Sequence, residues 1–133
     1  MRAVLDTNVL LSAIFTPGVC EVLLDLCRIA DDIDVILSEH ILTEFTHHAT
    51  GKFGAPAEKV EAAVVSLREW CEVVEPAPVP TDAFEDPDDL PVLGTALAGR
   101  GDCLVTGDAK LLALNAYRGV AILSPRAFYD RLR

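Results

Sequence analysis

Four acidic residues stand far apart in the chain, each at a point where it could contribute to one negatively charged site. They are Asp6 in VLDTN, Glu44 in ILTEF, Asp89 in DPDDLP and Asp108 in LVTGD. Carboxylates that gather in one place repel one another, and they either take up protons or bind a cation. Oxygen ligands of this kind suit Mg²⁺ or Mn²⁺, ions that commonly serve phosphate chemistry. The four acids therefore predict a divalent metal site, provided that the fold brings them together.

The hydrophobic pattern predicts a fold that could do so. Strand-like runs occur at residues 2–5, 34–37, 72–75, 103–105 and 120–123, and helical runs at about 8–15, 19–30, 39–50, 56–71, 89–98, from 109 and after 125. Five short strands separated by helices predict a three-layer α/β/α arrangement around a parallel sheet. No repeat or linker interrupts the pattern, so residues 1–133 are expected to form one domain.

The predicted sheet gives the acids a common location. Ligands bind to such sheets beyond the carboxyl ends of the strands. Asp6 directly follows the first strand and Asp108 closely follows the fourth, so both are expected at that edge. Glu44 lies at the margin of the apolar stripe of a helix that Ser38 is expected to cap. Asp89 lies on the first turn of a later helix, near the strand ends.

Asp6 and Glu44 also have ordinary structural interpretations. Asp6 could cap the helix that begins near Asn8, since both residue types serve as caps. The spacing of Glu44 from the apolar residues of its helix, taken alone, favours an ordinary glutamate on the solvated helix surface. The neighbouring histidines are interpreted as surface residues without a metal role: His40, His47 and His48.

The other two acids have similar alternatives. Negative charge is favoured at a helix start, so capping would account for one or two of Asp86, Asp88 and Asp89. Three acids within four residues exceed what capping needs. Asp108 could close a turn, and Gly107 before it permits a backbone conformation that other residues resist.

The net charge of −10 argues against a nucleic-acid binder, but the charge is unevenly distributed. Residues 1–99 carry five Lys or Arg against eighteen Asp or Glu, whereas residues 100–133 carry six against three. An acidic body with a basic C-terminal third could still contact phosphates locally. The alternative is a solvated surface without a partner, and charge alone favours it.

Cellular location follows from what the sequence contains. Apolar runs fall short of the roughly 18–20 residues of a membrane span, and Asp6 and Asn8 interrupt the apolar N-terminus where a signal peptide would need continuity. A cytoplasmic protein without membrane association is therefore expected. The cysteines show no zinc-binding spacing and are interpreted as small buried side chains: Cys20, Cys27, Cys71 and Cys103.

Several segments together resemble one family. They are VLDTNVLLSAI, ILTEF, DPDDLPVLGTALAG, LVTGDAKLLAL and ILSPRAFYDRL, which occur in order over essentially the whole chain. In combination they resemble the PIN domain, and most closely the small bacterial VapC-like toxins of toxin–antitoxin pairs. The resemblance implies a parallel sheet of order 3-2-1-4-5, which places the first and fourth strands side by side.

The resemblance also implies an activity and a site. The activity is cleavage of RNA with Mg²⁺ or Mn²⁺, leaving 5′-phosphate and 3′-hydroxyl ends. The implied acidic set is Asp6, Glu44, Asp89 and Asp108, with Asn8 and Thr106 as supporting polar residues. Either Asp88 or Asp89 could be the third acid, and spacing to the buried helix residues favours Asp89. A cognate antitoxin and a homodimer are the implied protein partners.

Two other functions compete with this one. A haloacid-dehalogenase-like phosphatase also has an Asp after its first strand, but it needs a second Asp two residues later, where this chain has Asn8. A member of the same fold could instead bind RNA or protein without turnover, because fold does not guarantee activity. Metal binding and RNA cleavage would separate these alternatives.

Overall fold

The computed structural model describes residues 1–132. In chain order the elements are β1 Arg2–Leu5, α1 Thr7–Phe15, α2 Val19–Ile29, β2 Asp34–Ser38, α3 Glu39–Gly51, α4 Ala57–Trp70, β3 Glu72–Val74, a 3₁₀ turn Pro87–Asp89, α5 Leu90–Ala98, β4 Cys103–Val105, α6 Ala109–Leu112, β5 Ala116–Tyr117, β6 Val120–Leu123 and α7 Pro125–Leu132. The predicted α/β class is confirmed, and the predicted strands are present.

The sheet has the order β3-β2-β1-β4-β6-β5. Its first five members are parallel and correspond to the expected order 3-2-1-4-5, with β6 as the predicted fifth strand. The expectation of five strands was wrong by one, because β5 adds a sixth, antiparallel strand at the edge. Its two residues are too few to show a period. The hairpin turn places Arg118 and Gly119 at φ 46° and 86°, the left-handed backbone that such tight turns use.

Both faces of the central strands are covered. Successive side chains of a strand point to opposite faces of its sheet. In β1, however, Ala3, Val4 and Leu5 are all essentially inaccessible, and the same holds throughout β4. Burial of consecutive residues requires packing on each face, which is the layered arrangement that the alternating pattern predicts.

The structure also shows the burial of the cysteines, the start of α4 and the length of the apolar helices. Three of the four cysteines are buried, Cys71 is half-buried, and all four thiols are free. Pro56 precedes α4 as its N-cap rather than occupying its first position. Within residues 1–132, no single helix is both long and apolar enough to cross a membrane, although the sharply bent pair α1 and α2 meets those two criteria together.

Candidate functional site

Asp6 lies where β1 passes into α1, at the carboxyl edge of the sheet. Its backbone N–H donates to the carbonyl of Val105 on β4, which extends the pairing of β1 and β4 by one residue (3.0 Å). Its carboxylate Oδ1 accepts the N–H of Thr7 at 2.7 Å, so Asp6 is also the N-cap of α1. Only 4% of Asp6 is exposed. The interpretation of Asp6 as a helix cap is therefore correct, and the carboxylate that forms this cap is buried.

Asn8 and Thr106 hold Asp6 and connect the ends of β1 and β4. Asp6 Oδ2 accepts the Thr106 hydroxyl at 2.8 Å and the Asn8 amide Nδ2 at 3.2 Å. Asn8 Oδ1 in turn accepts the N–H of Gly107 at 2.8 Å. A Cβ atom on Gly107 would lie 3.2 Å from Asn8 Oδ1, and Gly107 does not have a left-handed φ. The expected reason for this glycine was wrong, because close approach of Asn8, rather than backbone conformation, favours it.

Glu44 reaches the same edge from α3, which follows β2. The Thr7 hydroxyl donates to Glu44 Oε1 at 3.0 Å, and His40 Nε2 lies 3.3 Å from the same oxygen. His40 is half-buried, and its Nε2 is buried without a hydrogen bond of good geometry, so the interpretation of His40 as a surface residue holds for only part of the side chain. Both contacts are made by Oε1. Glu44 Oε2 accepts no hydrogen bond from residues 1–132.

Asp89 ends the 3₁₀ turn that leads into α5. The cap of that turn is Asp86, whose Oδ1 accepts the N–H of Asp88 at 3.0 Å. Asp89 occupies the N-cap position of α5 but makes no side-chain capping hydrogen bond, so the capping carboxylate among the three acids is that of Asp86. Asp89 is half-buried and makes no side-chain hydrogen bond to the described residues, whereas Asp88 is exposed. The structure places Asp89, and not Asp88, among the residues that line the cleft.

Asp108 stands three residues beyond β4 as the N-cap of α6. Its Oδ1 accepts the N–H of Lys110 at 2.8 Å, and its own N–H donates to Thr106 Oγ1 at 3.0 Å. The structural interpretation as a cap is again correct for one oxygen. Asp108 Oδ2 is left without a hydrogen bond from the described part of the chain.

The four acids line a single cleft of about 260 Å³. Its other lining residues are Thr7, Asn8, Leu11, His48 and Lys52. Of these, the sequence predicted a role for Asn8. His48 and Lys52 follow Glu44 at intervals of four residues, and that helical spacing was the signal that could have identified them.

Crowding of negative charge changes the proton affinity of two acids. Burial raises the pKa of Asp6. Hydrogen bonds from Thr106 and Thr7 lower this pKa in part, and the charges of Glu44 and Asp108 raise it further. Burial also raises the pKa of Asp89 to about 7, with further contributions from the carboxylates of Asp6, Asp108, Asp86 and Glu44. The cleft therefore favours an added positive charge, whether a proton or a metal ion.

The donor set fits a hard divalent cation in its chemistry. The carboxylate oxygens that accept no hydrogen bond are Glu44 Oε2, Asp108 Oδ2 and both oxygens of Asp89, counting contacts within residues 1–132. Mg²⁺ and Mn²⁺ favour oxygen ligands of this type. In the described chain no three His, Cys, Asp or Glu side chains already converge at coordinating distance. Binding of a cation would neutralise the repulsion between the carboxylates and so allow them to move closer together.

Comparisons with known proteins agree with this architecture. A family model described as the PIN domain matches residues 2–110. A chain in the structure of VapBC2 from Rickettsia felis, bound to a DNA fragment from its promoter, superposes with a TM-score of 0.64 and 16% identity over 93% of this chain and 98% of that one.

Two further structures have a similar fold. VapBC-1 from nontypeable Haemophilus influenzae gives a TM-score of 0.62 at 16% identity, covering 95% of this chain and 99% of the other. FitAB bound to an IR36 DNA fragment gives 0.60 at 18% identity, covering 92% and 94%. No curated protein sequence shows significant similarity to the chain.

Proposed function

The chain belongs to the PIN domain family, and from that premise we propose that it is a metal-dependent ribonuclease that hydrolyses phosphodiester bonds of RNA. One observation carries the proposal. Four carboxylates from remote parts of the chain line one cleft, where burial and then the neighbouring carboxylate charges raise the pKa of Asp6 and Asp89. Such an arrangement is unfavourable in isolation and becomes favourable when a divalent cation neutralises it.

The proposed roles follow from the contacts. Asp6, Glu44, Asp89 and Asp108 would hold one or two Mg²⁺ or Mn²⁺ ions, with Asp6 as the central ligand. When bound, such ions favour deprotonation of water near neutral pH and neutralise charge that develops on the phosphate. Asn8 and Thr106 fix the orientation of Asp6.

The Thr7 hydroxyl holds one oxygen of Glu44 and leaves the other available, either to bind an ion or to orient water. This contact orients the Glu44 carboxylate at the cleft before any ligand arrives. Preorganisation of this kind reduces the cost of assembling the site.

The phosphatase alternative is disfavoured by the surroundings of Asn8. That chemistry needs a carboxylic acid two residues after Asp6 to donate a proton. Asn8 instead uses its amide to donate to Asp6 and its oxygen to accept from Gly107, so it links the two strand ends. An amide held in this way does not serve as a general acid.

We further propose that the protein is the toxin of a toxin–antitoxin pair. Its fold is similar to that of chains in VapBC and FitAB structures, and the acidic cleft offers a site for an antitoxin Arg or Lys. A cationic side chain in the cleft would neutralise the acids in place of the metal and so block activity. A cytoplasmic location and a homodimer belong to the same proposal.

The direct test is cleavage of an RNA panel with Mn²⁺ or Mg²⁺. Cleavage should stop with EDTA, and Asp6→Asn should lower it at least about a hundredfold while the circular dichroism spectrum stays native. Asp31→Asn is the matched control, because Asp31 is an exposed carboxylate in the turn before β2, at the opposite edge of the sheet. Undiminished cleavage by Asp6→Asn would contradict the proposal. Weak or absent Mn²⁺ affinity together with no cleavage would favour a binding module.

A further inference from the structure

The cleft is longer than the group of acids and has a direction. From the carboxyl edge of the sheet, α1 contributes Thr7 and then Leu11, and α3 contributes Glu44 and then His48 and Lys52. Residues four apart lie on one face of a helix, so each set forms a row. Because α1 and α3 both begin at that edge and pack against each other, the two rows border a groove that leads away from the acids.

Lys52 lies at the far end of this groove. It is the C-cap of α3, eight residues after Glu44, which corresponds to about 12 Å of helix rise. Among the nine residues that line the cleft, it is the only Lys or Arg. Its ammonium group makes no ion pair or hydrogen bond with residues 1–132, although eighteen acidic residues precede residue 100.

The charge arrangement points to an anionic ligand. Four carboxylates at one end would be neutralised by divalent cations under the proposed function, on which this inference rests. The cleft would then have a cationic end with no partner from the protein. Between the two ends, the buried Leu11 lines the groove with the small exposed part of its side chain.

We propose that Lys52 binds a backbone phosphate of the RNA away from the bond that is cut, and so holds the strand in the groove between α1 and α3. A stacked strand advances about 3.4 Å per nucleotide, and an extended one advances further. A separation of about 12 Å therefore corresponds to roughly two to four nucleotides. Lys52 is a binding residue for the substrate strand and does not touch the reacting phosphate.

The other lysines lack these features. Lys110 forms an ion pair with Glu85 at 3.7 Å and does not line the cleft. Lys59 lies on α4 with its ammonium 5.9 Å from the centre of the Phe15 ring, also outside the cleft. Lys59→Gln removes the same charge from an exposed helix and is a matched control for Lys52→Gln.

The test is steady-state cleavage of a single-stranded RNA oligonucleotide with Mn²⁺ at several salt concentrations. Lys52→Gln should raise KM roughly three- to tenfold and lower the slope of log affinity against log salt by about 0.7, the value for one phosphate contact on a single strand. Its kcat and Mn²⁺ affinity should be unchanged. Lys52→Arg should restore KM, and Lys59→Gln should behave as wild type.

Substrate length separates a phosphate contact from a structural effect. Two substrates are compared, one trimmed to a single nucleotide on the 5′ side of the cleaved bond and the other on the 3′ side. The strand reaches Lys52 from one side only, so on one of these two substrates wild type and Lys52→Gln should have the same KM. A mutation that disturbed the fold would raise KM on every substrate.

Two results would overturn the inference and can be told apart from failure of the proposed function. If wild type cleaves and Lys52→Gln has the same KM and salt slope, the Lys52 contact is wrong and the nuclease stands. If the wild-type protein does not cleave RNA, its binding to labelled RNA is measured by fluorescence anisotropy with Ca²⁺, which also takes oxygen ligands. Binding whose salt slope depends on Lys52 would then support the contact and refute the nuclease, and binding without that dependence would refute both.

Discussion

The two edges of the sheet treat their carboxylates in opposite ways. At the amino edge, Arg2 donates from its guanidinium to Glu72 and to the carbonyl of Gly99, and lies 3.7 Å from Asp34. The backbone N–H of Arg2 also donates to Asp102 Oδ2 at 2.8 Å. At the carboxyl edge, the acids of the cleft face one another. Asp6, Glu44 and Asp108 have hydroxyl, amide or backbone partners, with His40 beside Glu44, whereas the Asp89 carboxylate accepts no hydrogen bond from residues 1–132.

The difference separates stability from function. An acid beside a guanidinium contributes to folding, as Glu72 does, whereas acids gathered without such a partner oppose it. Natural proteins keep unfavourable groups of this kind where activity needs them. Changes at the carboxyl edge should therefore alter metal binding more than stability, and changes at the amino edge should do the reverse.

The largest expected effect is on the pH dependence of metal affinity. The pKa of Asp89 is raised to about 7, so below that pH a proton competes with the ion for this carboxylate. Mn²⁺ affinity measured by calorimetry should weaken by up to about tenfold for each pH unit below 7. Constant affinity between pH 7.5 and 6 would show that Asp89 is not a ligand.

The next effect belongs to the amino edge. Arg2→Gln removes the ion pair with Glu72 and the bond to Gly99, and should lower the free energy of unfolding in urea by about 1–2 kcal/mol. Mn²⁺ affinity of the folded protein should not change. Arg28→Gln removes an exposed arginine from α2 and should stay within about 0.5 kcal/mol of wild type. If Arg2→Gln and Arg28→Gln lowered the free energy of unfolding equally, the contacts of Arg2 at the amino edge would not contribute to stability.

The smallest effect is a gain of stability at the carboxyl edge. The folded pKa of Asp89 lies above its ordinary value of 3.8, so the folded protein retains a proton that the unfolded chain has released between about pH 4 and 7. Stability without metal therefore falls as the pH rises through that range. Asp89→Asn has no such loss, and with EDTA at pH 8 its Tm should exceed wild type by about 2–4 °C.

The same measurement at pH 5 provides an internal control, because the difference between Asp89→Asn and wild type should shrink there. Asp88→Asn is the neighbouring control. Asp88 is exposed and outside the cleft, so its substitution should leave Tm nearly unchanged at both pH values. A Tm for Asp89→Asn below that of wild type at pH 8 would contradict the charge argument.

The sequence was sufficient for those parts of the site that depend on strand ends. Asp6 follows a buried strand directly and Asp108 follows one closely, and parallel pairing brings the ends of such strands together. Ser38 was recognisable as a cap, and its hydroxyl accepts the N–H of Ile41 at 3.2 Å. These features are local in the chain and need no knowledge of tertiary packing.

Features that depend on the angle between elements were not predictable. The packing of α3 beside α1 brings the Thr7 hydroxyl to Glu44, and His40 lies beside the same carboxylate. The choice of Asp86 as the cap depends on a 3₁₀ turn, where one residue changes which carboxylate meets the backbone. Lys52 was missed because it stands beyond the predicted end of its helix, while α3 continues to Gly51.

Both outer strands of the sheet are very short, with three residues in β3 and two in β5. An outer strand recruits another chain through its unpaired backbone groups, and strands this short have only one or two residues that face outward. Sheet-to-sheet joining of two copies would gain little, and fibril-like growth has almost no template. We therefore expect any self-association of this protein to involve its helices rather than the edges of its sheet.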